Sequence, residues 1–193
     1  MSLLTAKGQS ELDRLMKSMD GLFKQSIYAT SQALNETAKD VKKGVERQLN
    51  KDIDRPTKFT QSAFKINHSN KKTLKASVEI KPIQAKYLKY QIEGGTRRAK
   101  TIIIPRKKAQ NKYGNLPRGK LNRLSQAGKS YKAGGLVVQV LKTKEKPLAY
   151  MSSKGTAKYK KLFKFYERGR KVAQKVFGKH FSEQLVKAIS TAR

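Results

Sequence analysis

Over the first quarter of the chain, Leu12, Leu15, Met16, Met19, Leu22, Phe23, Ile27, Thr30, Leu34, Thr37, Ala38, Val41, Val45 and Leu49 recur at spacings of three and four. That is the period of one face of an α-helix, so the pattern predicts a single long amphipathic helix. Ser10 followed by Asp13 supplies a capping pair near its start, and Arg55-Pro56 forbids continuation, because the residue before a proline is pushed out of helical geometry. Asp20-Gly21 offers a point of division. Globular helices usually run about 8–20 residues. The apolar stripe therefore needs a cover, either the protein's own sheet or a neighbouring subunit, and Leu34, Val41, Val45 and Leu49 are the candidate oligomer-interface residues.

After Pro56 the period changes to two. Segments 59–67 and 73–81 alternate apolar or β-branched with polar residues across Asn67-His68-Ser69-Asn70-Lys71-Lys72, which predicts a β-hairpin. Lys65, Lys75 and Lys81 then project from one face or edge, where lysine opposes edge-to-edge aggregation. Segments 87–92, 101–104 and 135–141 are further strand candidates, with a short helical turn over 85–91 as the alternative for the first. Between the last two, residues 105–134 are rich in Lys, Arg, Asn, Gly and Ser, with Leu116, Leu121 and Leu124 as the only anchors. This reads as a long exposed basic loop, and loops beyond about 12–15 residues tend to be functional or disordered. From 159 to 191 the helical period returns, with Gly169 and Gly178 as break points.

The order predicts one α+β domain over 1–193. A long N-terminal amphipathic helix (helical arm 1–54) packs on a mainly antiparallel sheet (55–158, including the long basic loop 105–134), followed by a C-terminal helix (159–193). No repeat is visible, and parallel βαβ units are not supported.

Charge sharpens this picture. The 45 Lys and Arg against 13 Asp and Glu give a formal net charge of +32. Residues 1–54 hold nine basic and eight acidic side chains, so nearly all of the excess follows Asp54. A fold with this much charge of one sign repels itself, and counter-ions, nucleic acid or an acidic protein surface relieve the repulsion. The chain has no Cys, which excludes disulfides, thiolate catalysis and cysteine-based zinc sites. Residues 1–8 lack the pattern of a secretory signal, and no segment approaches the ~20 apolar residues of a membrane span, so a soluble protein made in the cytoplasm is expected.

The search for catalytic chemistry yields no candidate. His68 falls in the predicted hairpin turn, and His180 lies on a basic helix with no acidic neighbour in view. The second half offers only Glu79, Glu93, Glu145, Glu167 and Glu183, and nothing places Glu79 and Glu93 together as an acid–base pair. Gly128-Lys129-Ser130 resembles the end of a phosphate loop, but Arg123 stands where the earlier glycine is required. The expectation is therefore no catalytic residue, no cofactor, no metal and no small-molecule substrate.

The candidate contacts to DNA or an acidic partner are Arg97, Arg98 and Lys100, then Arg106, Lys107 and Lys108, then Arg118, Lys120 and Arg123. Arginine grips phosphate or carboxylate through two parallel hydrogen bonds, whereas lysine contributes a mobile point charge. Tyr87, Tyr90, Tyr113 and Tyr131 are interleaved with this charge, as base-stacking or core residues. No zinc finger, basic zipper or aromatic RNA-recognition box is present, so sequence-specific reading is not indicated.

Ser31-Gln32-Ala33-Leu34-Asn35-Glu36-Thr37-Ala38, continuing through Val45 to Arg55-Pro56, resembles the opening of the tailed-phage minor tail protein Z family. Tyr90-Gln91-Ile92-Glu93-Gly94-Gly95-Thr96 is similar to a stretch in related phage head-tail joining proteins, and Ile104-Pro105 and Lys112-Tyr113-Gly114-Asn115-Leu116-Pro117-Arg118-Gly119 share that character. The resemblance covers roughly residues 31–60 and 87–120. It implies a virion protein that assembles as a homo-oligomeric ring at the head-tail junction, as a neck or tail-completion component. Connector (portal) and tail proteins are its implied partners, and double-stranded DNA is a further candidate. A freestanding nucleic-acid-binding protein is the rival reading.

Overall fold

The computed structural model describes residues 6–99, 102–133, 136–140, 145–152 and 155–191. Helix α1 spans Ala6–Asp52, 47 residues without interruption. Gly21 does not divide it, because glycine in a helix interior weakens the helix by ~1 kcal/mol without supplying a left-handed cap. The remaining elements are α2 (Lys58–Gln61), β1 (Phe64–Asn67), β2 (Ser77–Ile80), α3 (Pro82–Glu93), β3 (Gly95–Ala99), β4 (Ile102–Pro105), α4 (Lys120–Gln126), β5 (Ser130–Ala133), β6 (Leu136–Val140), β7 (Glu145–Ser152), β8 (Gly155–Tyr159) and α5 (Phe165–Ser190). The architecture is mixed helix and antiparallel sheet, with a long helix at each end. Among the described residues no helix is long and apolar enough to cross a membrane.

Two compact units form, each from separated stretches. Unit 1 draws its described residues from Met1–Gln48, Ala63–Lys81 and Phe165–Arg193, and unit 2 from Leu49–Ser62 and Pro82–Lys164.

In unit 1 the predicted hairpin is present but shorter than the segments 59–67 and 73–81, since Lys58–Gln61 is helix α2: β1 and β2 pair antiparallel, with Phe64 opposite Ile80 and Asn67 opposite Ser77. Its turn is closed by Asn70, whose side-chain oxygen accepts from the Lys72 and Thr73 amides. The hairpin is clamped to α1 by Asn35, which donates to the Ser69 carbonyl at 3.1 Å and accepts from the Ser69 amide at 2.7 Å. The contact face of α1 carries small residues, with Ala29, Ala33 and Ala38 buried beside Val45. Small residues let helices approach closely: a Cβ added at Gly44 would lie 2.8 Å from Val172 Cγ2 on α5. Gly169, an expected break, instead continues α5, and its bare Cα faces Val41 and Val45. Gly178 is likewise inside α5, which starts at Phe165 rather than at 159.

The Gly44 contact gives a stability prediction. Gly44→Ala gains helix propensity of ~1 kcal/mol but overpacks against a stiff β-branched side chain at a cost of ~1–3 kcal/mol. A net loss of stability is expected in urea unfolding, and it should shrink in the Val172→Ala background. An equal loss in both backgrounds would refute the steric account.

Unit 2 contains a two-stranded ribbon, β3–β8, and a four-stranded antiparallel sheet in the order β4-β7-β6-β5. The strand candidate at 87–92 is instead the second half of α3, in line with the helical alternative. Its period is set by Gln84 and Leu88, both buried, with Gln84 donating to the Phe59 carbonyl and the Tyr87 hydroxyl bonded to Thr60. Gly94 ends α3 at φ +77°, its amide returning to the Tyr90 carbonyl at 3.0 Å. Strand β7 is central yet contains Pro147, which has no N–H to donate. The register slips between Val137 and Val138, setting Ala149 and then Pro147 opposite them, and this bulge accommodates the missing bond.

Residues 105–134 depart most from the loop that the sequence predicts. The stretch is not a structureless excursion: it holds a 3-10 turn at Lys107–Ala109, helix α4 and strand β5. Leu116, Leu121 and Leu124 do anchor it, packing with Ala109 against buried Leu148 and Ala149 of β7. Turn chemistry supplies the rest. The Asn111 side-chain oxygen accepts from the Tyr113 and Asn115 amides, and Gly114 and Gly119 take the left-handed conformation at φ +78° and +72°.

Candidate functional site

Unit 2 holds 25 of the chain's 45 Lys and Arg but only four of its 13 Asp and Glu, so most of the uncompensated charge lies there. Strand β4 is an edge strand that ends at Pro105, and the Arg106 amide still reaches the Leu148 carbonyl of β7 at 3.1 Å. The chain then turns through the 3-10 segment, closed by the Ala109 amide on the Arg106 carbonyl at 2.8 Å and by the Gln110 side chain on the Pro105 carbonyl at 3.0 Å. This turn puts Arg106, Lys107 and Lys108 side by side on the surface. Helix α4 turns Leu121 and Leu124 toward β7 and brings Lys120 to the same place.

The result is a groove of about 670 Å³ whose floor includes Leu148, Ile104 and Tyr150 and whose lining includes Arg106, Lys107, Lys108 and Lys120. The Arg106 guanidinium sits 5.7 Å from the Tyr150 ring centre, a cation–π contact that holds it in place while leaving its N–H groups available. Among the described residues, no carboxylate forms an ion pair with Arg97, Arg98, Arg106, Lys107, Lys108, Arg118, Lys120 or Arg123. Four cations converge on one apolar-floored groove without internal compensation. Such a surface carries a positive potential that attracts anionic groups.

The structure therefore joins Lys120 to the 106–108 cluster and leaves the other candidates apart. Arg97 and Arg98 are successive residues of β3 opposite Ala157 and Thr156, so they point to opposite faces of an exposed ribbon. Arg118 and Arg123 are exposed but do not line the groove. Lys100 lies outside the described residues. Of the tyrosines singled out, Tyr87 is tied to Thr60, and Tyr90 packs on Tyr159 with ring centres 5.4 Å apart, so both are structural. Tyr113 is half-buried under Lys112, and the surroundings of Tyr131 lie outside the described residues. The aromatic residue that does serve the groove, Tyr150, was not among them. Its strand carries Pro147 and shows no clean alternation, so only its half-exposed aromatic ring marks it.

His180 and Glu79 both sit in local polar contacts. His180 does have acidic neighbours: its Nε2 lies 2.8 Å from Asp40 Oδ2 of α1 and its Nδ1 3.9 Å from Glu183. Asp40 is 140 positions away in sequence and could not be paired with it by spacing. Glu79 is held below the usual carboxylate range, chiefly by the Asn67 side chain and then by Lys65 across the hairpin. It therefore stays ionised at neutral pH, as a surface ion-pair partner.

The interface candidates on α1 divide. Val45 and Leu49 are fully buried within the chain's own fold, so their side chains are core and unavailable to a neighbour. Leu34 and Val41 are half-buried and line a second, apolar groove of about 540 Å³ on unit 1. The exposed apolar positions lie further toward the N-terminus: Leu15, Met16, Met19, Leu22 and Phe23 are between 49% and 67% exposed. The helical period showed them as one stripe with the rest, and gave no sign of where cover ends.

No protein-family model, curated protein or solved structure matches the chain.

Proposed function

We propose that this chain is a non-enzymatic structural protein of a tailed-phage virion, a neck or tail-completion component assembling as a ring at the head-tail junction. Its basic groove on unit 2 meets the phosphate backbone of double-stranded DNA or the acidic face of a connector or tail protein. The observation that carries this reading is the convergence of Arg106, Lys107, Lys108 and Lys120 around Tyr150 with no carboxylate partner among the described residues. The resemblance at 31–60 and 87–120 supplies the virion context. In the second of these stretches the Glu93-Gly94-Gly95-Thr96 motif is the α3 cap running into β3, so it supports a shared fold element rather than a shared contact. The same unpaired charge favours the rival, a freestanding sequence-nonspecific nucleic-acid binder.

Fluorescence anisotropy with a short random-sequence duplex, over a range of salt concentrations, tests the groove. Four groove cations meeting phosphates give a log–log salt slope of at least about −3, since each neutralised phosphate contributes roughly −0.9. Light scattering after size exclusion separates the two readings. A discrete oligomer that survives high salt supports the neck component, and a monomer that binds DNA only at low salt supports the rival. Affinity for neither duplex nor a polyglutamate peptide would overturn the groove assignment.

A further inference from the structure

The apolar stripe on the exposed part of α1 has no cover among the described residues. Residues 11–24 are exposed at every position whose side chain is described, and the helix runs unbroken from Ala6 to Asp52, so this arm cannot fold back on its own unit. At 1.5 Å per residue the exposed stretch is roughly 20 Å long. Its charge is arranged. On a helical projection Glu11 flanks the stripe on the Leu15 and Leu22 side, and Asp13 and Asp20 flank it beyond Met16, whereas Arg14, Lys17 and Lys24 lie on the far face. None of the three acids has an ion-pair partner among the described residues.

Unit 1 also carries the complement to such a helix. The apolar groove of about 540 Å³ runs between α1, β2 and α5, lined by Leu34, Ala38, Val41, Val78 and Phe177, with Arg170 exposed at its edge. Thr37, 7% exposed, faces this groove, and its Oγ1 is buried with no hydrogen-bond partner. Among the described residues that line the groove, the one charged side chain is Arg170, opposite in sign to Glu11, Asp13 and Asp20 that edge the arm's stripe.

We infer that the N-terminal arm of one copy docks, apolar stripe inward, into the Leu34–Val41–Phe177 groove of a second copy. This deepens the proposed function and rests on its reading that the chain assembles with itself. Arm and groove are different surfaces, so the contact is head-to-tail and each bound pair still offers one free arm and one free groove. A contact of that kind closes into a ring or extends as a fibre. It follows the helix-in-groove mode, with Leu15, Met19 and Leu22 or Met16 and Phe23 as anchors at i, i+4 and i+7 spacing.

Complementation between two defective chains tests it, read by light scattering after size exclusion in high salt. M19E/F23E inactivates the arm, and R170E/F177E inactivates the groove, both at exposed positions. The wild type is expected to form an oligomer and each variant alone a monomer. An equimolar mixture should form a species of twice the monomer mass and no larger, because one intact arm meets one intact groove and growth stops. R170E/F177E that pairs with itself would show arm-to-arm contact and sink the proposal, as would a mixture that stays monomeric, a monomeric wild type or variants that still assemble fully. Far-UV circular dichroism checks that helix is retained, and should R170E/F177E lose helix, R170E alone takes its place. Duplex affinity measured on the same variants is independent, so loss of the unit 2 groove assignment and loss of arm docking read out separately.

Discussion

Replacing Arg106, Lys107 and Lys108 by glutamate together is expected to abolish duplex binding while leaving the protein folded. Each phosphate contact releases about one counter-ion, worth roughly eightfold in affinity at about 0.1 M salt, so three lost contacts weaken binding by several hundred-fold before any repulsion is counted. The salt slope should fall by about 3 in magnitude, since each lost phosphate contact removes about one. All three side chains are exposed and have no carboxylate partner among the described residues, and the substitution lowers the net charge from +32 to +26, so the reduced self-repulsion offsets the loss of the Arg106–Tyr150 contact and stability should hold. Arg97→Ala and Arg98→Ala provide the contrast. Their side chains leave opposite faces of the ribbon, so at most one of them can share a contact surface, and the pair should cost far less. A triple variant that binds duplex within about threefold of wild type, against the eightfold expected for a single contact, would show that the polyanion sits elsewhere on the chain.

That experiment also marks where the sequence stops being informative. The cations were visible as a string, but their convergence depends on three things with no local signature: β4 pairing with β7, the 3-10 turn after Pro105, and α4 folding back so that Lys120 meets Arg106. Helix α4 has seven residues, too few for a period of 3.6 to declare itself, although its two leucines stand out in the polar stretch as anchors. Strand β3, Gly-Thr-Arg-Arg-Ala, shows no apolar alternation because it lies in an exposed two-stranded ribbon. Strand β7 was hidden by Pro147, which a sequence rule assigns to an edge and which a bulge here admits to the centre. The long helices and the hairpin are legible because each carries apolar residues at a regular period, although the period does not tell the buried part of α1 from the exposed stripe over residues 11–24.

Phe64→Ala should be the most damaging single core substitution in unit 1. Phe64 is 2% exposed and stacks on Phe165 with ring centres 5.8 Å apart and planes 9° from parallel, so it fixes the first strand of the hairpin to the start of α5. Truncating a buried phenylalanine costs ~3–5 kcal/mol, the lost transfer energy plus the cavity left behind. Typical domain stability is only about 5–15 kcal/mol, and a net charge of +32 reduces the margin through self-repulsion. The variant is therefore expected to lose most of its urea resistance in low salt and to recover part of it as salt screens the repulsion. A double-mutant cycle with Phe165→Ala should show a coupling of roughly 0.5–1.5 kcal/mol, the usual range for an aromatic pair beyond its buried area. Phe59, 52% exposed, is the control, and its replacement by alanine should cost under ~1 kcal/mol. If Phe64→Ala cost no more than Phe59→Ala, the hairpin would not be anchored through this stack, and the stability of unit 1 would have to reside in the close approach of α1 and α5 at Gly44 and Gly169.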